Sequence, residues 1–216
     1  AVFIDRDGVI VVEKDHLHRK EDLEILPRAA EAIKLLNNSG YLAIVITNQP
    51  VVARGLCTIA ELDEINKHLE SLLFKQAGAR LDRIYYCPHH PNPKGKIGAN
   101  EVNTDYVKEC ECRKPKPGII LQAGRDFGLD LSNSFMIGDK LGDIESGVRA
   151  RCKTVLVKTG YGGKGGEEPV YMCTPTFESE SLYTAVEYIM MAKKEEKEVR
   201  NDRSKLWNSR EIRGRI

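Results

Sequence analysis

Two carboxylates one residue apart, Asp5 and Asp7, follow the apolar run Val2-Phe3-Ile4, and Gly8 comes at once after them. Such a pair can divide labour, one acid serving as nucleophile or metal ligand and the other as general acid and base. An apolar run bounded by turn residues reads as a buried strand of a parallel sheet. Its carboxyl end is where open α/β sheets take their ligands. Gly8 lets the backbone turn sharply and a ligand come close. A lone Asp-x-Asp-Gly also suits a solvated turn after a strand, so the rest of the chain has to decide between the two.

Further polar clusters recur at the ends of apolar runs. Leu42–Ile46 runs into Thr47-Asn48-Gln49, whose hydroxyl and amides can bond phosphate oxygens without adding charge. Ser134–Ile137 runs into Gly138-Asp139-Lys140-Leu141-Gly142-Asp143. Cys87-x-His89 and Cys110-x-Cys112 are two close pairs of soft ligands separated by a loop, the pattern of a closed tetrahedral zinc site, with His90 as an alternative to His89. Four protein ligands leave no open position, so that zinc would be structural and would clamp a loop with little core of its own. Arg113 and Lys114 follow directly, just before a helix start, a suitable place for a cation that meets phosphate. His16 and His18 lie in a polar loop that could reach a substrate or simply be solvated. The glycine run 159–166 lacks the spacing of a phosphate-binding P-loop.

The elements that must position these groups follow from periodicity. Helical spacing predicts helices over 28–39, 58–78, 118–128, 143–149 and 179–192, alternating with strands at 2–4, 42–46, 83–87, 134–137 and 153–157. Alternation of this kind predicts a three-layer α/β fold with a mostly parallel sheet and helices on both faces. Every polar cluster named above then falls on one edge of that sheet, a coincidence that unrelated turns would not produce.

With 216 residues, 41% hydrophobic and 30% charged, the chain is long enough for one domain with a proper core. A net charge of +1 gives no argument for a nucleic-acid or membrane partner, and no apolar run approaches the ~18 residues of a membrane span. Clustered rather than evenly spaced cysteines favour a metal site in a reducing compartment, so the cytoplasm is the expected location. Residues 193–216, with nine basic and five acidic residues, read as a charged extension to a domain over 1–192 that carries a zinc loop at 87–112.

Together Asp5-Arg6-Asp7-Gly8, Thr47-Asn48-Gln49, Lys114 and Gly138-Asp139-Lys140-Leu141-x-Asp143 resemble the four motifs of the haloacid dehalogenase superfamily of phosphatases. The zinc loop running into Cys112-Arg113-Lys114-Pro115 is similar to the branch of heptose-bisphosphate and histidinol-phosphate phosphatases. This resemblance, over about residues 1–160, implies a Rossmann-like fold without a large cap domain. It implies Asp5 as nucleophile, Asp7 as acid and base, and Mg²⁺ held by Asp5, the Asp7 carbonyl and Asp139. Thr47, Asn48 and Lys114 would hold the phosphate, Arg113 would contact the substrate beyond it, and Lys140 and Asp143 would order the metal site. Arg54 matches a position near the substrate entrance. The implied substrate is a small phosphate ester, a heptose 1,7-bisphosphate or alternatively histidinol phosphate or another sugar phosphate, acted on by a monomer. Two other readings are a non-catalytic binding protein that uses the basic tail and a nucleic-acid 3′-phosphatase, which would need a basic groove. Pro50-Val51 stands where a Ser-Gly pair is usual, Val11 where Asn is common, and the Cys87–Cys110 spacing is long. These departures bear on which substrate is taken rather than on the catalytic set.

Overall fold

The computed structural model describes residues 1–93, 101–164 and 173–194. Six parallel strands form one sheet: β1 (Val2–Ile4), β2 (Ala43–Asn48), β3 (Arg83–Cys87), β4 (Phe135–Gly138), β5 (Lys153–Val157) and β6 (Phe177–Ser179), in the order β3-β2-β1-β4-β5-β6. Successive side chains in a strand face opposite ways, and the packing of β1 shows it. Val2 and Ile4 join the core under α1 (Ala29–Asn38), α2 (Ile59–Ala77) and a helix over 182–194, α5. Phe3 joins the opposite core, with Ile119, Ile120 and Ala123 of α3 (Gly118–Phe127) and Met136 of β4. The remaining long element, α4 (Leu141–Arg149), lies so close to the sheet that a Cβ on its Gly147 would come within 2.8 Å of the Met136 Cβ. The result is the three-layer Rossmann-like arrangement expected.

Local chemistry explains the boundaries. The Thr58 hydroxyl accepts from the Glu61 N–H at 3.2 Å, and Glu61 accepts from the Thr58 N–H at 2.7 Å, a reciprocal cap that starts α2. Gly78, at φ 63°, ends it. β1 is hydrogen-bonded on both sides, to β2 and to β4, and the chain leaves it towards β2 first. The strand order therefore reverses beside β1, the place where such sheets open a crevice at their carboxyl ends.

Two expectations change. The segment 11–27 is no loose loop: it makes a 3₁₀ turn at Lys20–Asp22, returns antiparallel so that Val11 pairs with Ile25, and buries Val11, Leu17 and Leu23. The last helix does not begin at 179, because Phe177–Ser179 pair with Val155–Val157 as an edge strand. Nearly all of the charged extension, part of the glycine run and 94–100 of the zinc loop lie outside the described residues.

Candidate active site

At the crevice, Asp5 continues β1 and its Oδ1 accepts from the Arg6 N–H at 2.8 Å and from Lys114 Nζ at 2.9 Å. Lys114 Nζ also lies 2.6 Å from Asp143 Oδ1 and donates to the Ile46 carbonyl at 2.9 Å, so all three of its protons are spoken for. Asp5, Lys114, Asp139 and Asp143 are all at least 96% buried. Burial works against the charge on Asp5, but Lys114 and Lys140, together with the Arg6 N–H, outweigh it and hold this carboxyl below its ordinary range. Burial likewise opposes the Lys114 ammonium, yet Asp143 and Asp5 raise it above the usual lysine range. The floor of the site is thus an ionised nucleophile candidate bonded to a fixed cation.

Asp139 differs. Its Oδ2 accepts from the Tyr161 N–H at 2.8 Å, while Oδ1 is buried with no hydrogen-bond partner. Burial first, then the Asp143 and Asp5 charges, push this carboxyl up to about 8. Such a cost disappears if a cation sits there. Ligand atoms of Asp5, Asp139 and Asp143 lie within 4.8 Å of one another. Both Asp143 oxygens are already engaged, Oδ1 by Lys114 and Oδ2 by the Lys140 N–H at 3.1 Å. Asp5 and Asp139 are therefore the better donors, and an all-oxygen set of this kind suits Mg²⁺. The slot for Asp139 is tight: a Cβ on Gly8 would stand 2.3 Å from Asp139 Oδ2, and one on Gly160 would stand 2.2 Å away. Both glycines also have positive φ, 80° and 59°.

The cleft above this floor offers about 100 Å³ and is lined by Asp5, Asp7, Glu13, Asp15, His16, Leu17, Thr47–Val51, Arg113, Lys114, Lys140 and Asp143. It gathers most of the expected site residues, including His16. His18 lies apart, its Nδ1 2.6 Å from the His16 carbonyl. Lys140 reaches Glu13 at 3.3 Å and lies 4.5 Å from the centre of the Tyr161 ring, whose hydroxyl donates to Asp15 at 2.7 Å. Four residues depart from expectation. Asn48 spends its side-chain oxygen and one amide proton on the Lys114 backbone, both at 3.0 Å, so it braces the lysine loop as well as lining the cleft. Arg54 is buried and is not among the lining residues. Arg6, given no role on sequence grounds, and Gln49, read there as an amide for phosphate oxygens, hold Asp7: Arg6 Nη2 lies 2.9 Å from Asp7 Oδ2, and Gln49 Nε2 donates to the same oxygen at 2.7 Å.

The cysteine cluster forms where β3 ends. Sulfur–sulfur distances among Cys87, Cys110 and Cys112 are 3.3–3.5 Å, and His89 Nδ1 lies 3.3 Å from Cys112 and 3.6 Å from Cys87. Bonds of about 2.3 Å to a tetrahedral zinc would separate two sulfurs by about 3.8 Å, so four donors gathered this closely fit that ion. His90 faces elsewhere: its Nδ1 accepts from the Asn92 N–H at 3.1 Å.

Comparison with known proteins agrees with this geometry. The HAD-hydrolase-like family model matches residues 111–185. The D-glycero-D-manno-heptose-1,7-bisphosphate 7-phosphatase of Thermosynechococcus vestitus is 38% identical over 190 residues, 88% of this chain and 94% of the relative. The D-glycero-beta-D-manno-heptose-1,7-bisphosphate 7-phosphatase of Pasteurella multocida is 38% identical over 74% of this chain and 82% of its own length. The crystal structure of D,D-heptose 1.7-bisphosphate phosphatase from B. bronchiseptica, complexed with magnesium and phosphate, superposes with a TM-score of 0.73 at 30% identity, covering 88% of this chain and 98% of that one. The chain belongs to the haloacid dehalogenase-like phosphatases.

Proposed function

We propose that this protein is a Mg²⁺-dependent phosphomonoesterase that removes the C7 phosphate of D-glycero-D-manno-heptose 1,7-bisphosphate by way of an aspartyl-phosphate on Asp5. The observation that carries the chemistry is Asp5 itself, a buried carboxylate kept ionised by Lys114 2.9 Å away at the floor of a polar cleft. The substrate rests on the relatives, which carry that name at 38% identity over most of this chain.

In the first half of the reaction an Asp5 oxygen forms a bond to phosphorus while the bond from phosphorus to the sugar oxygen breaks, and the carboxylic acid of Asp7 gives its proton to that leaving oxygen. In the second half the Asp7 carboxylate takes a proton from water as the water oxygen attacks phosphorus, which frees Asp5 and releases inorganic phosphate. Thr47 at the end of β2 offers its hydroxyl to the phosphoryl oxygens as charge spreads over them, and the Lys114 ammonium, held against Asp5, supplies a fixed positive charge beside them. Arg113 and Lys140 at the cleft wall provide cations for the rest of an anionic substrate. Asp5, Asp139 and the carbonyl of Asp7 would hold Mg²⁺, which supplies charge neutralisation between the attacking carboxylate and the phosphate dianion. Cys87, His89, Cys110 and Cys112 would hold a structural zinc. Among the described residues no helix is long and apolar enough to cross a membrane.

Phosphate release from both anomers of heptose 1,7-bisphosphate, histidinol phosphate and common sugar phosphates, with Mg²⁺ and with Asp5→Asn as blank, tests the reading. Preferred turnover of one heptose anomer is the expected result. Turnover of a different ester alone would replace the substrate and keep the chemistry. Turnover that survives in Asp5→Asn would overturn the chemistry.

A further inference from the structure

The reaction proposed above uses Asp7 but leaves unexplained the fully buried guanidinium beside it. Arg6 has no exposed surface, and taking a guanidinium out of water is unfavourable unless it is paired and fully hydrogen-bonded. Its only salt-bridge partner among the described residues is its own neighbour, Asp7. Adjacent side chains of an extended strand point to opposite sides, so a fork between residues 6 and 7 has to be built. The chain builds it by turning at once: the Arg6 carbonyl accepts from the N–H groups of Ile10 at 2.9 Å and Val11 at 3.0 Å. The guanidinium then meets Asp7 through Nε at 3.1 Å and Nη2 at 3.0 and 2.9 Å. Nη2 also donates to Gln49 Oε1 at 2.8 Å, and Nη1 reaches Asn66 Oδ1 at 3.4 Å. Gln49 closes the ring, since its Nε2 donates to Asp7 Oδ2 at 2.7 Å and to Thr47 Oγ1 at 2.9 Å. Asp7 is thus held from three directions, by its own turn, by the end of β2 and, through Arg6, by α2. Its carboxylate, 16% exposed, still faces the cleft.

We infer that Arg6 and Gln49 are positioning residues that fix the plane and depth of the Asp7 carboxylate, and so set how well the proton reaches the leaving oxygen. This rests on the phosphatase reading. A bidentate guanidinium fork restricts a carboxylate in both position and orientation, and displacing a catalytic group by about 1 Å can cost on the order of 10²-fold in rate. Thr47 belongs to the same ring, which couples proton delivery to a residue on the phosphate side of the cleft.

The test is a series of phosphate monoesters whose leaving groups run from 4-nitrophenol to simple alkyl alcohols, followed by kcat/KM so that only the first half-reaction is read. 4-Nitrophenolate departs without a proton, whereas an alkoxide needs one. Arg6→Met should lower kcat/KM on alkyl esters by about 10²-fold and raise the aryl-to-alkyl ratio at least about tenfold, so that the dependence on leaving-group pKa steepens. Arg6→Met empties a buried site and could fail to fold, so Gln49→Met provides the milder variant. It keeps the guanidinium, removes one bond to Asp7, and should shift the same ratio in the same direction by a smaller factor. Equal losses on all esters in Gln49→Met, or no loss on any, would overturn the inference. Wild-type protein inert towards the whole series would instead overturn the phosphatase reading and the inference with it.

Discussion

Cys112 and Lys114 stand two residues apart along the chain, yet the clusters they belong to solve opposite problems. The cysteine cluster brings four donors together around one point and leaves nothing over, so a metal there would be enclosed by protein. The carboxylate floor of the cleft is left unfinished. Lys114 satisfies Asp5 and Asp143, while Asp139 keeps one buried oxygen unpaired and a carboxyl that resists ionisation. A closed set suits a permanent clamp, whereas an open set of oxygens suits an ion that also has to bind phosphate and water. The comparison teaches that electrostatic incompleteness, rather than the number of acidic residues, marks where the chemistry is.

The strongest way to break the contrast is to remove its hinge. Lys114→Met should lower kcat by about 10³-fold, the loss expected when a fixed charge that stabilises the transition state is removed. It should also cost about 3–5 kcal/mol of stability, because Asp5 and Asp143 become buried charges without a partner. Turnover assays and chemical denaturation read the two effects separately. Next comes Cys112→Ser. Loss of the clamp should cost on the order of 3 kcal/mol, as for a lost cross-link, and lower the melting midpoint by roughly 6–12 °C. Metal analysis should find zinc near one per chain in the wild type and much less in the variant. Activity at saturating Mg²⁺ should fall too, because Asn48 ties the Lys114 backbone to β2 and the clamp holds the other side of that loop.

Asp139→Asn sharpens the contrast from the other side. Mg²⁺ affinity, followed by titration calorimetry, should weaken by about 100-fold, at the upper end of what even indirect disturbance of a metal site produces. Without Mg²⁺ the sign reverses. A carboxyl raised to about 8 in the folded chain, against about 4 unfolded, withdraws stability as pH rises through that window. Metal-free wild type should therefore lose stability between about pH 4 and 8, and Asp139→Asn should lack that decline and melt higher at pH 8–9. The smallest effect concerns the cysteines outside the cluster. Burial pushes Cys57 up to about 11 and Cys152 up to about 12, so both should resist alkylation at pH 8 in the native protein. Chelation should expose Cys87, Cys110 and Cys112 to the same reagent first, which mass spectrometry can resolve.

Much of this arrangement is legible in the sequence because it lies at strand ends. The alternation of apolar runs and helical stripes places Asp5, Thr47, Cys87 and Asp139 on one edge before any coordinate is known, and the two Cys-x pairs announce their own geometry. What is not legible depends on where a side chain turns. Spacing assigns nothing to the arginine between the two aspartates, and only the tight turn after β1 folds it inward against Asp7. Asn48 looks like a phosphate donor, yet the approach of the Lys114 backbone claims its amide. Arg54 looks like part of the entrance and is packed away. The three-residue β6 is too short for a period to show, and its existence is decided by the free edge of β5.

The paired glycines around Asp139 carry a consequence for how this chain can drift. Gly8 and Gly160 lie far apart along the chain, but a Cβ on Gly160 would stand 2.6 Å from the Cα of Gly8 as well as meeting the aspartate. The two positions therefore behave as one heritable unit: neither can acquire a side chain while the other and Asp139 stay in place. A homologue in which both had changed would have had to rebuild the slot that holds Asp139, so the joint state of these two positions is a compact sorting criterion for separating chains that keep this carboxylate geometry from chains that keep only the fold.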